Sequence, residues 1–131
     1  MSSRTPEGKV KEKVSKLLRE YGVYYFMPVQ TGYGPAGLDY HCVFRAGTLP
    51  IAFFVEAKDE GEWLTPRQQE LTKKLNLDYS CKVFVVEGGP TEANDLERLR
   101  RWLERMKQYN LIHIKKKEAS SQTITSPSSM D

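Results

Sequence analysis

Cysteine is scarce in this chain: Cys42 and Cys81 stand far apart and form no C-x-x-C pair. That excludes a disulfide framework and fits reduced thiols in a packed core. Histidine is equally rare, and His41 and His113 do not fall, with the two cysteines, at the ligand spacing of a structural zinc. No apolar run approaches the roughly 20 residues that cross a bilayer. The N-terminal stretch MSSRTPEGKVKEK has no apolar centre of the kind a signal peptide carries. The expectation is therefore a cytoplasmic protein with no membrane partner. Neither sign of charge dominates: 20 basic against 17 acidic side chains leave a formal +3, which permits a nucleic-acid partner without requiring one. No internal repeat occurs, and no zinc finger or basic zipper is present to read bases.

What the chain does have is apolar content. With 39% hydrophobic and 11% aromatic residues in 131, it can bury the core of one compact domain. Thr5 as a cap, Pro6 at the first helical position, and Val10, Val14, Leu17, Leu18 and Tyr21 at helical spacing predict a first helix that stops at Gly22. Val23 to Met27 is rich in strand formers and ends at Pro28. A glycine-rich loop follows, Gln30-Thr31-Gly32-Tyr33-Gly34-Pro35-Ala36-Gly37. Two strands, from Leu38 to about Arg45 and from Ile51 to Lys58, are expected to form an antiparallel hairpin.

Thr65-Pro66-Arg67-Gln68 opens a second helix with a capping box, and Leu71, Leu75 and Leu77 are expected to face inward. A strand from Cys81 to Val86 leads to a third helix, capped by Thr91, whose buried stripe is Leu96, Leu99, Trp102, Leu103 and Met106. The expected domain is residues 1–114. Residues 115–131, basic and then rich in Ser and Thr, are expected to form a disordered tail. The order α-β-β-β-α-β-α predicts an α/β domain, a small mixed sheet flanked by helices.

The chemistry concentrates where an apolar strand turns polar, at Val55-Glu56-Ala57-Lys58. Side chains two apart on a strand share a face, so Glu56 and Lys58 lie together. With the hairpin turn centred between Gly47 and Thr48, Asp39 is paired with Glu56. Opposed Cβ atoms on such a ladder lie about 4.5–5.5 Å apart. Two carboxylates that close repel, unless a divalent cation sits between them. Asp39, Glu56 and Lys58 therefore suit metal-assisted hydrolysis. The carboxylates would hold Mg²⁺ or Mn²⁺, and Lys58 would orient a water or stabilise a phosphorane-like oxyanion.

These residues also carry a resemblance. Gly37-Leu38-Asp39, then Val55-Glu56-Ala57-Lys58, then Thr65-Pro66-Arg67-Gln68 resembles the PD-(D/E)xK nuclease superfamily. The VRR-NUC branch is more similar, with an early helical glutamate, a glycine-rich loop before the aspartate and a glutamine opening the next helix. The likeness runs from about Pro6 to Val86 and departs at Leu38, where the family has proline. It implies a restriction-endonuclease-like fold and Mg²⁺- or Mn²⁺-dependent phosphodiester hydrolysis. It further implies a stand-alone, phage-type nuclease similar to Holliday-junction resolvases and working as a homodimer on branched DNA. If phage-encoded, the protein would act in the host-cell cytoplasm. By motif, Asp39 and Glu56 are implied as metal ligands, joined by the Ala57 carbonyl. Lys58 is the implied catalytic lysine, Gln68 assists, and Glu7 approaches from the first helix.

Plainer readings stand beside these. Glu56 and Lys58 also suit an exposed ion pair or charges that blunt a sheet edge. Gln68 is explained by its cap alone, and Glu7 by the helix dipole. His41 shares a face with Asp39 but is expected to be buried and hydrogen-bonded. Tyr24, Tyr25 and Phe26 alternate across a strand and are expected to give core on one face. Tyr33, on the loop, is the expected DNA contact. Lys9, Lys11, Lys13, Arg67, Lys73, Lys74 and Lys115 to Lys117 are candidate phosphate contacts, none singled out. The alternatives to a junction endonuclease are a nuclease on flaps, ends or plain duplex, a catalytically silent DNA-binding module, and a protein-interaction domain.

Overall fold

The computed structural model describes residues 5–29, 37–46 and 49–123, with side chains in the last helix followed as far as Gln108. Its elements are α1 (Pro6–Glu20), β1 (Tyr24–Phe26), β2 (Tyr40–Ala46), β3 (Leu49–Lys58), α2 (Pro66–Tyr79), β4 (Lys82–Glu87) and α3 (Glu92–Thr123). The chain is a mixed α/β domain with one four-stranded sheet in the order β1-β2-β3-β4. β1, β2 and β3 form an antiparallel meander, and β4 joins parallel to β3 after the α2 crossover. The element order predicted from the sequence is the one observed.

α1 begins where Thr5 Oγ1 accepts the Gly8 N–H at 3.0 Å. It ends in a Schellman motif: Val23 N–H reaches Leu18 O at 2.9 Å and Gly22 N–H reaches Arg19 O at 3.1 Å. That closure needs a left-handed residue, and Gly22, at φ +66, supplies it. Val10, Val14, Leu17 and Leu18 are buried.

One sheet face carries the core. Tyr40, Cys42 and Phe44 of β2, Phe53, Val55 and Ala57 of β3, and Phe84 and Val86 of β4 point into it by strand alternation. α1 and α3 cover this face, and Trp102 of α3 packs against Phe53 at 5.0 Å and Phe84 at 5.4 Å between ring centroids. At the C-terminal end of β4, a Cβ on Gly88 would stand 3.0 Å from Val10 Cγ2, so glycine lets α1 approach the sheet end closely.

Several expectations are corrected. α2 buries no residue: Leu71 and Leu75 are half-buried and Leu77 is exposed. The helix packs on the edge strand β4. The alternation expected of β1 is observed, with Tyr25 turned toward the core and Tyr24 and Phe26 exposed on the opposite face. α3 continues through Thr123, past the boundary expected at residue 114. Residues 124–131 and the glycine loop at 30–36, with Tyr33, lie outside the described residues. Among the described residues, no helix is long and apolar enough to cross a membrane.

Candidate active site

The hairpin register is the expected one. Tyr40 pairs with Val55 and Ala46 with Leu49, so Asp39 lies directly across from Glu56. The two acids interlock through the backbone. Asp39 N–H donates to Glu56 Oε1 at 2.8 Å, and Ala57 N–H donates to Asp39 Oδ2 at 2.9 Å. Each carboxylate is thus oriented by the strand that carries the other, before any cation is considered.

Glu56 is 3% exposed, buried as deeply as the core aliphatics. Two further side chains meet its second oxygen. Lys58 Nζ lies 3.4 Å from Glu56 Oε2, and Gln68 Nε2 donates to the same atom at 3.0 Å. Gln68 serves two ends at once. Its Oε1 accepts the Thr65 N–H at 3.1 Å, while its own N–H donates to Thr65 Oγ1 at 3.2 Å, completing the capping box. The cap therefore fixes the glutamine that holds Glu56, which explains why the capping motif and the site coincide in sequence.

Lys11, among the unassigned phosphate candidates, is the participant that sequence reasoning did not place here. Its Nζ lies 3.5 Å from Asp39 Oδ1 and 3.3 Å from Glu7 Oε2. Glu7 thus reaches the site through Lys11, one helical turn on, and its contact is not with the carboxylate pair. The i, i+4 spacing of Glu7 and Lys11 was a readable signal for their pairing, though not for the contact with Asp39.

The electrostatics leave this cluster short of positive charge. Burial raises the Glu56 carboxyl above its ordinary 4.5, and the neighbouring Asp39 charge raises it further; the Asp39 N–H and Lys58 act in the opposite direction. Two lysines face three carboxylates. A hard divalent cation suits such an oxygen-only set, and Asp39 and Glu56 are the residues placed to hold one. Among the described residues, no third His, Cys, Asp or Glu joins them in a metal-holding group. Glu7, implied as a further ligand, is paired with Lys11 in this arrangement. Ala57 contributes a visible N–H contact to Asp39, where its carbonyl was the group expected to act.

His41 is half-buried on the same sheet face, packed edge-on to Phe54 at 5.0 Å and to Phe26 at 6.2 Å. Ring packing, in place of the expected hydrogen-bonded burial, describes its surroundings, and burial lowers its pKa from 6.5. Lys13 pairs with Glu92 and not with the site. Beside the acids, a groove along α1 is lined by Gly8, Lys11, Glu12, Ser15, Lys16, Arg19 and Met27, three basic side chains against one acidic.

No protein-family model matches the chain, and a search of curated proteins finds no match.

Proposed function

We propose that this chain is a Mg²⁺- or Mn²⁺-dependent endonuclease that hydrolyses phosphodiester bonds in branched DNA. It would have a restriction-endonuclease-like fold of the VRR-NUC type and act as a homodimer in the manner of Holliday-junction resolvases. The observation that carries the proposal is the interlock of Asp39 and Glu56 across the β2–β3 register, with Lys58 against the buried carboxylate. A surface ion pair would have no reason to bury Glu56 to 3% exposure and surround it with Gln68 and Lys58.

Asp39 and Glu56 would hold the cation, which when bound supplies an activated water and neutralises charge on the phosphate. Lys58 stands beside Glu56, where its ammonium can orient the attacking water or meet the charge that develops on a phosphate oxygen. Gln68 keeps Glu56 aimed. The positive end of the α2 dipole lies at the same place and favours an approaching phosphate. Lys16 and Arg19 in the α1 groove give a DNA backbone a route to Asp39. Recognition would rest on DNA shape, and two symmetric cuts in a four-way junction suit a C2 dimer.

The test is cleavage of four-way, flap and linear duplex DNA in Mg²⁺ and in Mn²⁺. The four-way junction should be cut preferentially, EDTA should stop the reaction, and Lys58→Ala should reduce turnover by at least about a hundredfold while binding persists. Binding without turnover in either metal would leave a silent DNA-binding module; the absence of any salt-dependent DNA affinity would leave a protein-interaction domain.

A further inference from the structure

Lys11 occupies a position that the proposed chemistry does not use. Its ammonium bridges Glu7 and Asp39, and Asp39 Oδ1 is the carboxylate oxygen left over after the Ala57 N–H takes Oδ2. The backbone beneath it is pinned. Tyr40, the neighbour of Asp39, donates its hydroxyl to Lys11 O at 2.8 Å and lies 2.8 Å from Ser15 Oγ. Tyr40 is fully buried, so the turn of α1 that bears Lys11 cannot shift without disturbing the core. The side chain is different. It is one-third exposed and stands at the head of the groove that Lys16 and Arg19 line. The lysine stem can rotate where the helix cannot.

We propose that Lys11 is a displaceable counter-charge for the carboxylate pair. In the cation-free protein it neutralises Asp39. It gives up Asp39 when a divalent cation is taken in, and then meets a phosphate of the bound nucleic acid in the α1 groove. This inference rests on the reading of Asp39 and Glu56 as cation ligands. It makes Lys11 a positioning residue that competes with the cation and couples cation uptake to nucleic-acid binding, with Glu7 holding the lysine near both stations.

The experiment is Mn²⁺ titration by calorimetry, without DNA, of the full chain, of Lys11→Met and of Lys13→Met. The two variants each remove one positive charge from α1, but Lys13 pairs with Glu92, away from the site. Lys11→Met should bind Mn²⁺ roughly two- to fivefold more tightly than the unmodified protein, the scale of a partly exposed ion pair removed from competition. Lys13→Met should leave the affinity unchanged. A second measurement, affinity for a four-way junction in Ca²⁺, should show Lys11→Met weakened. Lys11→Gln, which keeps a polar side chain, guards against a packing effect and should behave as Lys11→Met does. Equal tightening in the Lys11 and Lys13 variants, or unchanged or weaker Mn²⁺ binding in both Lys11 variants, overturns the proposal. Mn²⁺ binding that Asp39→Asn abolishes and Lys11→Met does not alter overturns this inference and leaves the cation site standing. No Mn²⁺ binding by the unmodified protein overturns both.

Discussion

A buried carboxylate beside a second one makes stability depend on pH with a recognisable sign. Burial, and then the Asp39 charge, hold the Glu56 pKa above 4.5. As pH rises from that value through the raised one, the unfolded chain has already lost the proton that the native state still keeps. Stability without a divalent cation must therefore fall across that window. It is fully present below 4.5 and diminishes as Glu56 ionises in the fold. Thermal melts in EDTA at pH 4.5 to 7.5 should show this decline in the unmodified protein. Glu56→Gln, which has no proton to lose there, should show a shallower one. Profiles of equal slope would mean that Glu56 titrates as an ordinary surface acid. Asp39, Glu56 and Lys58 were legible from side-chain alternation and a turn position. Lys11 was not, because its partner lies 28 positions away on another element and nothing in helical periodicity reports a contact between elements.

At the scale of elements, the start of α2 ties helix stability to the site, since Thr65 holds Gln68 and Gln68 holds Glu56. Removing the cap with Thr65→Ala should cost about 1 kcal/mol, or roughly 3–6 °C in melting temperature for a domain of this size. Cleavage at low temperature should also drop, because the Gln68 backbone N–H loses its anchor on the Thr65 hydroxyl and the first turn that aims the glutamine at Glu56 loosens, although Gln68 Oε1 keeps the Thr65 N–H. Unchanged activity with a lowered melting point would separate the cap from the chemistry. The capping box and the hairpin register were both readable, because each depends on local residue types at fixed spacing. The surroundings of α2 were not readable. Its leucines recur as in a buried helix, yet Leu77 is exposed, because periodicity says which face is apolar and not whether another layer covers it. The length of α3 was missed for a related reason. A Lys-, Ser- and Thr-rich composition resembles a tail, but Lys115, Lys116, Lys117, Glu118 and Ala119 are mostly good helix formers and extend the helix that precedes them.

For the whole molecule, the sheet is the scaffold that joins the two acids, with α1 and α2 adding Lys11 and Gln68 around them. Asp39 and Glu56 are joined by backbone N–H groups at the end of the β2–β3 ladder, and the opposite side of β3 is the core that Trp102 seals against Phe53 and Phe84. Loss of the core should therefore take the site with it. Trp102→Ala should cost about 3–5 kcal/mol, a large part of the 5–15 kcal/mol typical of a domain, and lower the melting temperature by roughly 10–30 °C. Melting followed by circular dichroism and thermal loss of Mn²⁺ binding should move down together in this variant, since one cooperative unit carries both signals. Two transitions that separate, with cation binding lost well below the loss of secondary structure, would mean that the hairpin end opens locally before the domain unfolds. In that case Glu56 would lie in a unit less stable than the core beneath it.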